Sequence, residues 1–113
     1  MLYVISKMEN DTHSSNLEAP LLVIQIRIRI PHSHSLKEKR KVVKSLKERL
    51  RLRFNVTVAE IGDLEKWQTV TLALAMFSND RIYLDEQQSK MRLFIQEKLI
   101  GEGELIEFNW EII

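Results

Sequence analysis

Leu21-Leu22-Val23-Ile24-Gln25-Ile26-Arg27-Ile28-Arg29-Ile30-Pro31-His32-Ser33-His34-Ser35-Leu36-Lys37-Glu38 is the stretch on which the fold turns. Leu22, Ile24, Ile26, Ile28 and Ile30 alternate with Val23, Gln25, Arg27 and Arg29, and a period of two predicts a strand with one buried face. Pro31 ends it, having no amide hydrogen to give a sheet. Ser35 followed three residues later by Glu38 has the form of a capping box, which starts a helix from about Leu36 to Leu52. On that helix Leu36, Val42, Val43, Leu46 and Leu50 share one face, while Lys37, Arg40, Lys41, Lys44 and Arg51 share the other.

Working outward, residues 54 to 61 and 67 to 78 are β-branched or alternating, with Gly62-Asp63 opening the connection, and read as a hairpin. Ser78-Asn79-Asp80 supplies cap chemistry for a second helix to about Ile100, with Leu84, Met91, Phe94 and Ile95 inward and Gly101 as its C-terminal cap. In residues 104 to 113, Ile106, Phe108, Trp110 and Ile112 fall inward, and Glu107, Asn109 and Glu111 outward. Strand, helix, hairpin, helix, strand is the split βαβ order of an α+β, ferredoxin-like sandwich: a four-stranded antiparallel sheet with two helices on one face. Residues 6 to 19 are polar and without period, so residues 1 to 20 read as a flexible extension, with a short strand at Leu2 to Ile5, and residues 21 to 113 as one domain.

The 113 residues, 44% hydrophobic and 29% charged, suffice for one core. The longest apolar run is broken by Gln25, Arg27 and Arg29, which excludes a membrane helix there, and the N-terminus has no basic leader. Zero Cys removes disulfides and thiolate chemistry, so a cytoplasmic protein is expected. The net charge of +1 conceals strong segregation. Residues 27 to 53 hold eleven cations against Glu38 and Glu48, whereas residues 54 to 113 hold five cations against eleven carboxylates. Such a dipole suits one anionic partner, although a solvated basic face gives the same pattern.

Ser35-Leu36-Lys37-Glu38-Lys39-Arg40, Lys44-Ser45-Leu46, Arg53-Phe54-Asn55-Val56, Val58-Ala59-Glu60, Trp67-Gln68 and Ser78-Asn79-Asp80 together closely resemble the bacterial YlxP family, a domain of unknown function, from about Leu21 to Ile113. The resemblance implies a small cytoplasmic bacterial protein, often encoded beside transcription-elongation, translation-initiation and ribosome-maturation factors. Here the sequence departs from the family in two places. The first twenty residues lie outside the usual domain, with Met8 an alternative start, and His32 stands where a Gly is expected after the proline.

Several residue groups are candidates for sites. The ridge of Lys37, Arg40, Lys41, Lys44 and Arg51 suits a phosphate backbone. Ser33, Ser35, Lys37 and Arg40 surround the first turn of the helix, whose free N–H groups are an expected anion site. That place matches where ferredoxin-like acylphosphatases cradle phosphate, but their glycine-containing cradle with its following Phe-Arg is absent. Lys39 falls within the apolar face, and strand alternation puts Glu60 on the inner face near the same edge, so a structural Lys39–Glu60 ion pair is expected. His32 and His34 have a two-residue spacing that, even with Glu60 or Asp63, fixes no metal geometry, so no metal and no cofactor is expected.

On the open sheet face Gln25, Arg27, Thr71 and Ala73 occupy the positions where an RNA-recognition motif places stacking aromatics. The small residues Thr69, Thr71, Ala73 and Ala75, between Trp67 and Phe77, instead suit a second sheet or another protein. The resulting expectation is a non-enzymatic, RNA- or ribosome-associated accessory protein. The alternatives are a homodimeric interaction module using the open sheet, or a phosphate-handling hydrolase at the loop from His32 to Arg40.

Overall fold

The computed structural model describes residues 19–113, so the expected extension and its short strand at Leu2 to Ile5 lie, up to residue 18, outside the described residues. In chain order the elements are β1 (Leu21–Arg29), α1 (Leu36–Arg53), β2 (Thr57–Gly62), β3 (Thr69–Phe77), α2 (Arg81–Lys98) and β4 (Glu104–Ile112). All pairings are antiparallel, in the order β2-β3-β1-β4. The fold is the expected ferredoxin-like βαββαβ sandwich.

β1 is one of the two central strands, between β3 and β4. Ile24 lies opposite Leu74 on one side and Trp110 on the other, and Ile26 opposite Leu72 and Phe108. Leu22, Ile24, Ile26 and Ile28 are all buried, each contributing about 2 kcal/mol of apolar transfer. From the helices, Val43, Leu46 and Leu50 of α1 and Leu84, Met91 and Ile95 of α2 close over them. Phe54, just past α1, meets Phe94 edge-on at 5.4 Å between ring centroids. α1 lies over the β2 side and α2 over β1 and β4.

Ser35 caps α1, its hydroxyl accepting from Glu38 N at 3.1 Å. Glu38 Oε2 reaches back one residue further than a standard capping box, accepting from His34 N at 2.6 Å. α2 starts on Asp80, whose Oδ1 accepts from Ile82 N and Tyr83 N.

The structure corrects the sequence reading at several places. α2 ends at Lys98, not Ile100, because the chain turns through Gly101 at φ 82° while the amides of Glu102 and Gly103 fold back on Leu99 O. Gln87, not expected inside, is buried on α2. A bulge between Arg27 and Ile28 places Leu105, not Ile106, opposite Ile28. Trp110 shares the helix-facing side with Ile24, yet it is 43% exposed because, among the described residues, β4 has no outer neighbour.

After that turn the chain passes close to β1: a Cβ on Gly103 would stand 2.5 Å from Arg29 O. Gly103→Ala is therefore expected to destabilise the fold by about 2 kcal/mol, read as a lower urea midpoint at unchanged m. An unaltered midpoint would show that the two strand ends separate freely.

Candidate nucleic-acid interface

The site rests on how α1 is held. Lys39 sits one turn into the helix on its inward side and is 1% exposed. An ammonium there requires partners. Its Nζ stands 3.3 Å from Glu60 Oε1 on β2, and donates to Asp63 O at 2.8 Å and to Thr69 O at 3.3 Å. Glu60 faces inward because it lies opposite Leu72. The ammonium thus ties α1 to β2, to the β2–β3 turn and to the start of β3.

Asp63 holds that turn from the other side. It takes a left-handed φ of 61°, which a short polar side chain tolerates, and its carboxylate meets Arg27 Nε at 3.2 Å and Lys66 Nζ at 3.4 Å. Burial pushes the Asp63 carboxyl up, but the Thr69 hydroxyl, Arg27 and Lys66 outweigh it and hold the group below its ordinary value of 3.8. Of these the Thr69 contact is the least well aligned, since Thr69 Oγ1 is buried without a partner in full hydrogen-bond geometry. Gln68 joins the same turn to the β1–α1 loop, Nε2 donating to Pro31 O and Ser33 O at 3.2 Å each.

On this mount the opposite side of α1 is turned outward. Lys37, Arg40, Lys41 and Lys44 are exposed, and none has a carboxylate within 4.0 Å among the described residues. Arg49 and Arg53, absent from the expected ridge, are also exposed and carry cations to the C-terminal end of the helix, where its dipole favours them. By helical angle they lie off the ridge, on the side where Leu52 is 88% exposed. Arg51 differs from its neighbours: one of its guanidinium nitrogens donates to Val58 O at 2.9 Å, which anchors the side chain on β2.

The expected anion site does not form as an open cradle. Ser33 is buried and its hydroxyl donates to Ser35 O, Ser35 is occupied by Glu38 N, and the Glu38 carboxylate itself stands at the helix entrance. Lys37 and Arg40 remain exposed and belong to the ridge. His32 and His34 are exposed in the loop, whereas Glu60 and Asp63 face their own cations, so the four do not converge. Among the described residues no cluster of three or more His, Asp or Glu is arranged for a metal, and no helix is long and apolar enough to cross a membrane.

Comparison with known proteins places the chain. A family model described as "Protein of unknown function (DUF503)" matches residues 21–110. The uncharacterized protein YlxP of Bacillus subtilis (strain 168) is 36% identical over 76 residues, covering 67% of this chain and 83% of its own. Among solved structures, the YXEP protein of Bacillus subtilis, a dinuclear metal binding peptidase from the M20 family, superposes with a TM-score of 0.51 at 12% identity, over 81% of this chain and 25% of that one. A hydantoinase/carbamoylase family amidase from Burkholderia ambifaria gives 0.52 at 7% identity, over 85% and 28%. The chain spans about a quarter of these enzymes' length, and at such identities they share its fold alone.

Two substitutions probe the mount. Lys39→Met is expected to cost about 3 kcal/mol in urea unfolding, since it strands Glu60 and two carbonyls, and an unchanged midpoint would contradict the clamp. For Asp63 the folded pKa lies below the unfolded one, so its contribution is present above the ordinary carboxylate range and lost as pH falls through the depressed value. Asp63→Asn should therefore lower Tm at pH 7 and match the parent near about pH 2. A gap of equal size at both pH values would assign the effect to the turn backbone instead.

Proposed function

The chain belongs to the DUF503 family, a family of unknown function, and from that premise we propose that it is a non-enzymatic, cytoplasmic accessory protein that binds the phosphate backbone of structured RNA, ribosomal RNA included, through α1. The observation that carries this reading is the row of exposed cations Lys37, Arg40, Lys41 and Lys44 with no carboxylate in reach among the described residues. Cations on the strands and the β2–β3 turn are paired, Arg27 with Asp63, Arg29 with Glu104 and Lys66 with Asp63, and those of α2 share their helix with Asp85, Glu86 and Glu97, whereas α1 sets only Glu38 and Glu48 against its cations. Cations left free on one helix are what counterion release requires, because each phosphate neutralised sets small ions loose.

Recognition by shape fits better than base reading. The exposed part of α1 carries no aromatic side chain, and Gln25, Arg27, Thr71 and Ala73 fill the middle of the open sheet, where bases would stack. A hydrolytic role draws little support from the β1–α1 loop, whose serine hydroxyls are spent on the backbone.

Fluorescence anisotropy with hairpin RNA, single-stranded RNA and duplex DNA tests the reading. Four phosphate contacts predict that affinity for the hairpin falls roughly 100-fold between about 50 and 200 mM salt. Arg40→Glu with Lys44→Glu should abolish most of that binding. Equal binding by this variant, or binding indifferent to salt, would overturn the reading.

A further inference from the structure

The two edges of the sheet are unequal. β2 has six residues, shifts register between Glu60 and Gly62, and has its Val58 carbonyl occupied by Arg51. Shortness, a bulge and an occupied backbone group all keep an edge from pairing with another chain. β4 has nine residues, its bulge at Ile106 leaves the six from Glu107 to Ile112 regular, and among the described residues no side chain bonds its backbone. Its hydrogen-bond phase follows from Leu21 and Ile113, which exchange both bonds, at 3.2 and 2.9 Å. Bonded and non-bonded pairs alternate along an antiparallel ladder, so Asn109 opposite Gln25 is bonded, and the N–H and C=O of Phe108, Trp110 and Ile112 point away from β1. Trp110 and Ile113 are 43% and 41% exposed beside them.

We propose that β4 is the surface through which two copies of this chain associate, antiparallel about a two-fold axis at Trp110, extending the sheet across both molecules. The phase of the free backbone groups admits two-fold axes at Phe108, Asn109 or Trp110. An axis at Asn109 sets Glu107 against Glu111 twice, and one at Phe108 opposes Trp110 to Ile106, where the bulge breaks the phase. The axis at Trp110 pairs the regular part of the strand, sets Phe108 opposite Ile112 and Asn109 opposite Glu111, meets the half-exposed Trp110 with its own copy, and brings no two carboxylates face to face. A basic extended peptide is the competing occupant. It is disfavoured because Glu104 and Glu107 already have Arg29 and Arg27 at 3.0 and 3.9 Å. Since α1 lies over the β2 side, such a dimer leaves both α1 helices at its outer ends.

Sedimentation of the full chain from about 5 to 500 μM tests the proposal, with Asn109→Glu and Asn109→Lys as variants. Asn109 is exposed, so both substitutions leave the protomer intact. The parent should pass from monomer to dimer across this range. Asn109→Glu, which places like charges together twice, should raise the dimer Kd roughly 2- to 30-fold, and Asn109→Lys should lower it. Amide exchange at Phe108 and Trp110 should slow as concentration rises. A parent that stays monomeric throughout, or a dimer whose Kd is the same in both variants, would overturn it.

Discussion

A buried ammonium is the constraint on which the rest of the structure depends. Lys39 cannot sit 1% exposed without a carboxylate and further acceptors, and the chain assembles them from three separate places: Glu60 on β2, the Asp63 carbonyl in the turn and the Thr69 carbonyl at the start of β3. Apolar packing under α1, by Val43, Leu46 and Leu50, is non-directional and would tolerate small rotations of the helix. The Lys39 contacts do not. They fix which side of α1 faces the sheet, and so which cations face outward.

Charge is sorted by the same arrangement. Strand cations on the open face are neutralised locally, Arg27 by Asp63 and Glu107 and Arg29 by Glu104, while Lys37, Arg40, Lys41 and Lys44 on α1 have no carboxylate in reach among the described residues. The full chain is nearly neutral in sum and strongly polar in layout. Such a surface gives an anionic polymer a preferred side to approach, with affinity governed by salt. The β4 edge lies away from α1, so the proposed association there and the proposed binding on the helix use separate surfaces.

Much of the fold was legible because each element carries its own period. The five β1 alternations, the Ser35 and Asp80 caps and Gly101 each act within a few residues of themselves, and the structure places them as the pattern indicates. The departures arise where a distant partner intervenes. Ile106 loses its inward position to Leu105 because the β1–β4 ladder slips by one residue, and Trp110 is uncovered because strand order, which no local pattern encodes, makes β4 an edge. At the site, period alone puts Lys39 and Glu60 on inner faces, but the two backbone carbonyls around the ammonium have no sequence signature. The serines looked free in the sequence, and become unavailable through hydrogen bonds that depend on loop geometry.

Whether α1 is the face that meets RNA is decided by residue-by-residue amide shift mapping of the isotope-labelled chain during titration with a hairpin RNA. The account predicts shifts concentrated from Lys37 to Lys44, small changes on β1 and β3, and reversal of the whole pattern on adding salt. Shifts centred on the open sheet, or a spectrum unmoved at low salt, would contradict it.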